Sequence, residues 1–263
     1  MQAFLYASGG LGFICLMTCL GSSTVFFFRK AAPGKMQQVF LGFAAGVMIA
    51  ASVWSLLLPA IEEAEGMGIP GWIPAAGGFI LGVLFLFVLD QIIPHLHPFT
   101  NLKEGLSSTS KRTTLLISAV TLHNIPEGMA VGLAFALAAQ NGGTPEMYAP
   151  AIALALGIGI QNFPEGAAIS LPLRQEGFST GKAFLWGSMS GVVEPVFGFI
   201  AVLLAMWIAP LMPWLLSFAA GAMIYVVVEE LIPEANMGKH SHAGTMGVMA
   251  GFLIMMILDV ALG

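Results

Sequence analysis

Charged residues are scarce in this chain, and their scarcity indicates its class. Only 9% of the 263 residues are Asp, Glu, Lys or Arg, whereas 57% are hydrophobic. Soluble domains carry about 25% charged residues, so we expect an integral membrane protein. The chain also lacks a basic patch, and its net charge is -5. Because proteins bind nucleic acid by neutralising phosphates with Lys and Arg, no nucleic-acid partner is expected.

Cysteine and histidine are equally rare. The two cysteines, Cys15 and Cys19, lie four residues apart in the first apolar run. Buried free thiols usually act as small hydrophobic side chains, and this pair supports neither a disulfide nor a thiolate zinc site. Only one of the five histidines, His123, falls inside an apolar run. A zinc-protease motif of the His-Glu-x-x-His type is therefore absent.

Eight apolar stretches are each long enough to cross a bilayer, which takes about 20 residues in an α-helix. The predicted spans are residues 3–28, 36–60, 71–93, 113–138, 149–172, 182–208, 211–233 and 243–262. Little is left for a soluble domain, so residues 1–263 are predicted to form one transmembrane domain. No basic flank or cleavage site accompanies the first span, which we expect to be a retained helix.

The basic residues predict the orientation. All nine fall in alternate loops: Arg29, Lys30 and Lys35, then Lys103, Lys111 and Arg112, then Arg174 and Lys182, and finally Lys239. By the positive-inside rule, the first, third, fifth and seventh loops face the cytoplasm. Both termini are then extracytoplasmic, in a multi-pass protein of the cell membrane.

Internal similarities predict an inverted repeat. Phe43-Ala-Ala-Gly46 in the second span resembles Phe218-Ala-Ala-Gly221 in the seventh, and the two spans run in opposite directions. A weaker echo pairs Gly-Phe and Leu-Asp dipeptides of the third span (78–79 and 89–90) with those of the eighth (251–252 and 258–259). The predicted fold is therefore all-α, with eight helices arranged as three plus two plus three. Inverted repeats are typical of transporters that work by alternating access.

Two near-identical hexapeptides form the most unusual motif. HNIPEG occupies residues 123–128 and QNFPEG residues 161–166, within the fourth and fifth spans. A charged side chain at the bilayer centre costs at least about 2.5 to 3.5 kcal/mol, and no Lys or Arg falls in the interior of the spans to compensate. The pattern indicates coordination of a cation near the midplane. One alternative stays open, in which protonated carboxyl groups only hydrogen-bond the helices together.

Spacing brings the polar residues of each hexapeptide onto one helix face. His123 and Glu127 are four residues apart, as are Gln161 and Glu165, and side chains at this spacing are neighbours on a helix. Glu194 of the sixth span lies at a similar depth. The predicted metal ligands are His123, Asn124, Glu127, Gln161, Asn162, Glu165 and Glu194. This oxygen-rich set with one imidazole suits Zn²⁺, Fe²⁺ or Mn²⁺.

Further acids and histidines predict a transport pathway. Asp259 lies near the outer end of the eighth span, whereas Asp90, Glu229 and Glu230 lie toward the cytoplasmic ends of theirs. The loop histidines His95 and His97, and the pair His240 and His242, are expected to be accessory metal-capturing residues, with chance placement as the alternative. The acids Glu62, Glu63 and Glu65 at the outer mouth are interpreted as solvated surface.

Together these motifs resemble the Zrt/Irt-like (ZIP) metal transporters, most closely the prokaryotic GufA-like branch. The similarity rests on HNIPEG, QNFPEG, Glu194-Pro195 and the EELIPE stretch from Glu229, with support from PHLH at Pro94 and the terminal LDVALG. It implies the ZIP fold with a two-metal site, in which Glu127 and Glu165 bridge. The first ion would have His123, Glu127, Gln161 and Glu165 as ligands, and the second Asn124, Glu127, Asn162, Glu165 and Glu194.

The resemblance also implies import of Zn²⁺, or of Cd²⁺, Fe²⁺ or Mn²⁺, into the cytoplasm. The helix bundle that bears the site would move against a static part that mediates dimerisation, as in an elevator. Small-residue helix surfaces are compatible with a homodimer. The metal is the transported substrate, and no organic cofactor is expected.

Two departures from the family pattern affect the expected metal chemistry. Asn162 stands where some relatives carry Asp, which removes a formal charge from the second position. Glu229-Glu230 stands where many carry His-Glu, which makes the exit all-oxygen and more tolerant of Fe²⁺ or Mn²⁺.

The competing interpretations are an intramembrane zinc metalloenzyme and a passive metal channel. A His and a Glu on one helix can hold a hydrolytic zinc, but the duplicated ligand set and the outlying acids favour transport, so no enzyme is expected. A channel and a carrier differ in dynamics, and the inverted repeat favours the carrier.

Overall fold

Long helices account for most of the chain in the computed structural model. The structure describes residues 2–28, 34–92, 95–96, 103–104, 112–175, 177–207, 209–235 and 242–262. Their long helices are α1 (Gln2–Ser23), α2 (Gly34–Gly66), α3 (Trp72–Ile92), α4 (Arg112–Gln140), α5 (Ala149–Gln175), α6 (Thr180–Gly191 and Val193–Trp207), α7 (Met212–Val226, continuing to residue 235) and α8 (Ala243–Leu262).

Short elements join some of these helices. Single 3₁₀ turns, Thr24–Phe26 and Ala209–Leu211, follow α1 and precede α7. Between α3 and α4, a two-residue strand β1 (His95–Leu96) pairs antiparallel with β2 (Lys103–Glu104).

The helices have the length and composition of membrane spans. Among the described residues, seven helices are long and apolar enough to cross a membrane. Helix α4 has 29 residues, which exceeds the roughly 20 that a bilayer requires. The all-α membrane class is therefore confirmed, and the protein is a multi-pass membrane protein. Helix α2 extends to Gly66 rather than to residue 60, because its last turns still bury Ala60 and Ala64 while the glutamates beside them face outward.

Helix packing shows the inverted repeat. Helices α1, α2, α3 and α4 correspond to α6, α7, α8 and α5, and the main contacts repeat accordingly: α1 packs on α5 as α6 packs on α4, and α2 packs on α8 as α7 packs on α3. These contacts define two bundles. The hexapeptide bundle comprises α1, α4, α5 and α6, and the flanking bundle comprises α2, α3, α7 and α8.

Matching irregularities in α2 and α7 strengthen this correspondence. Each helix contains a π-helical turn, Ser52–Leu57 in α2 and Val227–Leu231 in α7. Both turns begin nine residues after the Phe that opens the repeated Phe-Ala-Ala-Gly motif. A proline follows each turn closely, at Pro59 and Pro233. Because proline cannot donate a backbone hydrogen bond, a wider turn lets the helix continue past it.

Glycine contacts show which residues of α3 and α8 are equivalent in the inverted repeat. A Cβ at Gly78 would press against the backbone nitrogen of Phe218, at 3.2 Å, and one at Gly247 against that of Phe43, at 3.0 Å. Since Phe43 and Phe218 are equivalent, Gly78 corresponds to Gly247. The similarity of the Gly-Phe dipeptides predicted that Gly78 is equivalent to Gly251, which is wrong by one helical turn. The two Leu-Asp dipeptides do occupy equivalent positions, as predicted.

Helix α6 is interrupted beside its only acidic residue. Its first segment ends at Gly191, Val192 forms a turn, and the second segment starts at Val193. The ring of Pro195 would clash with the carbonyl of the residue four positions earlier in a continuous helix, and that residue is Gly191. Glu194 therefore lies in the first turn of a new helix segment.

Candidate metal site

Helix α4 brings Asn124 and Glu127 to the centre of the hexapeptide bundle. Both side chains are buried, with exposed fractions of 0% and 1%. The following residue, Gly128, faces α6 so closely that a Cβ there would collide with the backbone carbonyl of Glu194. Small residues allow membrane helices to approach in this way. The glycine of the first hexapeptide thus places the polar residues of α4 against α6.

Helix α5 brings the second hexapeptide beside the first. Gln161 and Asn162 are buried, and Glu165 is half-buried. Gln161 Nε2 donates a hydrogen bond to Glu127 Oε1 over 2.6 Å. This bond connects the two hexapeptides directly and leaves the second oxygen of the Glu127 carboxylate available.

Glu194 of α6 lies where four helices converge. It is fully buried, and its Oε1 accepts hydrogen bonds from Asn124 Nδ2 at 3.0 Å and from Thr18 Oγ1 of α1 at 3.2 Å. The side chain of Asn162 in α5 is also within hydrogen-bonding reach of this carboxylate. The structure therefore brings the predicted residues of α4, α5 and α6 together, and adds a residue of α1.

The asparagines of the hexapeptides make equivalent hydrogen bonds. Asn124 Nδ2 donates to the carbonyl oxygen of Ser190 at 3.0 Å, and Asn162 Nδ2 donates to the carbonyl oxygen of Ile14 at 3.4 Å. Ser190 and Ile14 are 176 residues apart and lie at corresponding positions of α6 and α1. The internal symmetry thus extends from the helices to the side chains of the site.

Several oxygens of the site have no hydrogen-bond partner. The following are buried and unpartnered: Asn124 Oδ1, Glu127 Oε2, Gln161 Oε1, Asn162 Oδ1 and Glu194 Oε2. Leaving a polar atom in this state costs about 1 to 3 kcal/mol. Carboxylate and amide oxygens are also ligands that divalent cations accept. Cations bound among these residues would give such atoms a partner.

The charge of the site also favours a bound cation. The carboxylate of Glu127 is close enough to Glu165 and Glu194 to interact with their charges. In the sequence, Lys and Arg fall in or next to the connections between helices, so no side chain of these two types is expected beside Glu127 and Glu194. Unpaired buried charges are unfavourable. Among the described side chains, no three His, Cys, Asp or Glu residues are grouped closely enough to hold a metal alone, and the unpartnered amide oxygens of Asn124, Gln161 and Asn162 are further donors beside these acids.

Two of the predicted pathway acids lie in equivalent places of the flanking bundle. Asp259 of α8 is 7% exposed and accepts a hydrogen bond from Ser55 in the π-turn of α2 at 2.6 Å. Asp90 of α3 is 5% exposed and accepts one from Tyr225, just before the π-turn of α7, at 3.3 Å. Each π-turn thus lies beside a buried acid, and the two acids are near opposite ends of the bundle.

The structure describes only some of the remaining predicted residues. Glu230 is buried and its neighbour Glu229 is exposed. The backbones of His123 and His95 lie in α4 and β1, but their side chains are outside the described part of the structure. His97 is outside it entirely.

Sequence reasoning missed three hydroxyl groups that touch predicted acids: Thr18, Ser55 and Tyr225. Ser and Thr are common in membrane helices because their hydroxyls can bond to the carbonyl four residues earlier, so nothing marks Thr18 or Ser55 as unusual. Tyr225 offered a signal, since it lies four residues before Glu229 and a buried phenol usually needs a partner.

Known proteins are similar to this sequence over most of its length. The family model described as the ZIP zinc transporter matches residues 100–259. The zinc transporter ZIP11 of Homo sapiens is 37% identical, over 94% of this chain and 94% of its own. The zinc transporter GufA of Myxococcus xanthus is 40% identical, over 87% of this chain and 88% of its own. The zinc transporter ZIPB of Bordetella bronchiseptica is 39% identical, over 97% of this chain and 80% of its own.

Proposed function

Since the chain belongs to the ZIP zinc transporter family, we propose that it carries divalent transition-metal ions, Zn²⁺ foremost, through the site between α4, α5 and α6. Its relatives are named zinc transporters, so the protein is a transporter and not an intramembrane metalloenzyme. Metal ions are its substrate. The observation that carries the site assignment is the convergence of five unpartnered buried oxygens from both hexapeptides and Glu194.

We propose two metal positions, with the ligand sets that the family resemblance implies. The first ion binds His123, Glu127, Gln161 and Glu165, and the second binds Asn124, Glu127, Asn162, Glu165 and Glu194. The contact of Gln161 with Glu127 supports the first set, and the contact of Asn124 with Glu194 supports the second. Glu127 and Glu165 are common to both and bridge the two ions.

The donor set permits several metals. Zn²⁺ accepts nitrogen and oxygen ligands, while Fe²⁺ and Mn²⁺ accept oxygen-rich sites. Oxygen donors from both hexapeptides and from Glu194 outnumber the single imidazole of His123. We therefore propose Zn²⁺ as the main substrate and Cd²⁺, Fe²⁺ and Mn²⁺ as alternatives that the site tolerates.

We propose import into the cytoplasm, which the family resemblance implies, along a path that the basic loops and the two bundles orient. With those loops in the cytoplasm, Asp259 lies on the outer side of the site, and Asp90 and Glu230 lie on the inner side. Metal then passes inward from Ser55 and Asp259 to the hexapeptides and leaves toward Asp90, with the loop histidines as accessory acceptors. We propose that the hexapeptide bundle moves against the flanking bundle, which provides the homodimer contact. Alternating access in this form favours a carrier over a passive channel.

Flux in proteoliposomes tests the proposal. Purified protein is reconstituted, and uptake of Zn²⁺, Cd²⁺, Fe²⁺ and Mn²⁺ is compared between the wild type, Glu127→Ala and Glu165→Ala. Because both glutamates bridge the proposed ions, each variant should lose saturable uptake while remaining in the membrane.

The matched control is Glu146→Ala, which removes an exposed carboxylate from the connection between α4 and α5. This variant should transport like the wild type. If both Glu127→Ala and Glu165→Ala retain saturable Zn²⁺ flux, the site assignment is wrong. If flux through the wild type does not saturate with Zn²⁺ concentration, the protein is a channel rather than a carrier.

A further inference from the structure

Thr18 of α1 stands outside the proposed ligand set but touches one of its members. We propose that Thr18 is a positioning residue, whose hydroxyl holds Glu194 so that one carboxylate oxygen faces the metal. This inference rests on the proposed function and adds a fourth helix to the site. Thr18 is fully buried, as is Glu194, so water does not compete for the contact.

The hydrogen bonds at Glu194 are unevenly distributed between its two oxygens. Oε1 accepts from both Thr18 Oγ1 and Asn124 Nδ2, at 3.2 and 3.0 Å, whereas Oε2 is buried without a partner. Two donors from different helices on the same oxygen restrict rotation of the carboxylate. The other oxygen then remains available to the second metal ion that we propose.

The hydroxyl of Thr18 has two acceptors within reach. Oγ1 lies 3.3 Å from the carbonyl of Ile14 and 3.2 Å from Glu194 Oε1, but a hydroxyl has only one proton to donate. With a metal ion bound, the Glu194 carboxylate would be ionised, and hydrogen bonds to an ionised acceptor are about twice as strong as neutral ones. The Ile14 carbonyl also accepts from Asn162, so it does not depend on Thr18. The hydroxyl of Thr18 therefore donates its single proton to Glu194 rather than to the Ile14 carbonyl.

Internal symmetry explains why α1 supplies this group. Thr18 and Glu194 are 176 residues apart and occupy equivalent positions. A Cβ at Gly128 would collide with the carbonyl of Glu194, and one at Gly166 would collide with the carbonyl of Thr18. One half of the repeat thus provides the carboxylate, and the other half provides a neutral donor to it. Two carboxylates at these positions would repel each other, whereas a hydroxyl stabilises the single acid.

Metal binding by the purified protein tests the role of Thr18 independently of transport. Zn²⁺ is titrated into the detergent-solubilised protein in the presence of a competing chelator, and the binding step that Glu194→Gln abolishes is identified first. Thr18→Val keeps the shape of the side chain and removes the donor, so it should weaken that step about tenfold or more. Thr18→Ser keeps the hydroxyl and should restore wild-type affinity. Should Thr18→Val be unstable, Thr18→Ala makes the same comparison.

Thr24→Val is the matched control, because it makes the same chemical change after the end of α1 and away from Glu194. It should bind Zn²⁺ like the wild type. In the double variant Thr18→Val with Glu194→Gln, the substitution at Thr18 should cause no further loss of Zn²⁺ affinity, since its effect passes through Glu194. A merely structural role would weaken all binding steps equally and would persist in the double variant.

The outcomes separate this inference from the proposed function. If Glu127→Ala abolishes Zn²⁺ binding while Thr18→Val binds like the wild type, the site stands and the role of Thr18 is wrong. If Glu127→Ala and Glu194→Gln both bind Zn²⁺ like the wild type, the site itself is misassigned, and the role of Thr18 is wrong with it.

Discussion

Amide side chains have two functions at the centre of this molecule. Gln161 uses its NH₂ group to orient Glu127, and Asn124 uses its own to orient Glu194. In both amides the carbonyl oxygen remains buried and unpartnered. An amide can donate at one end and bind a cation at the other, which a hydroxyl does less rigidly. This double use fits the Asn that both hexapeptides carry and the Gln of the second.

Asn162→Asp should bind metal more tightly but be less stable without it. The new carboxylate adds a charge at the second metal position, which should raise Zn²⁺ affinity roughly tenfold, or about 1.4 kcal/mol. It also removes the hydrogen bond that Asn162 donates to the Ile14 carbonyl and places two acceptors together, which costs about 1 to 3 kcal/mol. Thermal unfolding in detergent, with and without Zn²⁺, measures both effects.

The metal-dependent rise in unfolding temperature should therefore be larger in Asn162→Asp than in the wild type, since stabilisation by a ligand increases with the logarithm of its affinity for the folded state. Asn141→Asp, which changes an exposed Asn after α4, should leave this rise unchanged. An equal rise in Asn162→Asp and the wild type would show that Asn162 does not face a metal ion.

The sequence predicted which acids and amides approach one another, because burying an uncompensated carboxylate is costly enough to mark its position. It did not predict Thr18 or Ser55. A hydroxyl on a membrane helix can satisfy itself with the carbonyl one turn earlier, so its presence predicts no partner. Only the packing of α1 on α6 and of α2 on α8 shows which hydroxyls turn toward an acid.

At the scale of helices, glycines hold the flanking bundle together. A Cβ at Gly46 of α2 would collide with backbone atoms of Val248 and Phe252 in α8, and a Cβ at the equivalent Gly221 of α7 would collide with the carbonyl of Phe79 in α3. Membrane helices gain little from hydrophobic association, so close backbone packing stabilises their contacts. The repeated Phe-Ala-Ala-Gly motif is therefore a packing motif rather than part of the metal site.

Gly46→Ala and Gly221→Ala should each destabilise the protein by about 1 to 3 kcal/mol, the usual cost of overpacking a tight contact. Thermal unfolding of the detergent-solubilised variants measures the loss. Gly12→Ala on α1 is the control, because no atom lies within 4 Å of its added Cβ. Unchanged stability in Gly46→Ala and Gly221→Ala would mean that α2 and α7 can shift outward without cost.

The number and type of the helices could be predicted from apolar runs, but their irregularities could not. A proline inside an apolar run predicts a disturbance without saying which kind. The helices continue past Pro59 and Pro233 after π-turns, whereas α6 stops and restarts before Pro195. The match between the two Gly-Phe dipeptides predicted the wrong equivalent residues in α3 and α8. Glycines lie four residues apart along α3, at Gly78 and Gly82, so a dipeptide match cannot distinguish neighbouring turns.

At the scale of the whole molecule, the two bundles differ in what they contribute. The hexapeptide bundle holds all the predicted midplane ligands, and the flanking bundle holds the acids near either end of the proposed pathway. Contacts between the bundles run mainly through α4 on α7 and through α5 on α2 and α8. If the site moves relative to the end acids, sliding must occur at these contacts, while contacts within each bundle persist.

Cross-linking the bundles should therefore stop transport without abolishing metal binding. In a variant lacking Cys15 and Cys19, new cysteines replace Gly157 of α5 and Val47 of α2. The Cβ of the first would lie 3.5 Å from Cγ1 of Val47, so the two positions are direct neighbours across the contact between the bundles. Flux in proteoliposomes and Zn²⁺ binding are compared before and after oxidation, and again after reduction.

A cross-link inside the flanking bundle is the control. Cysteines at Gly78 and Ser217 would join α3 to α7. Their Cβ atoms would be only 2.7 Å apart, so the two helices must separate slightly to accept them, and the reduced variant supplies the reference flux. Oxidation should leave that flux unchanged because these helices move as one body. The oxidised Gly157 and Val47 pair should lose flux, keep Zn²⁺ binding, and recover flux on reduction. Full transport in that cross-linked protein would instead indicate a fixed pore, because a channel conducts without relative movement of its two halves.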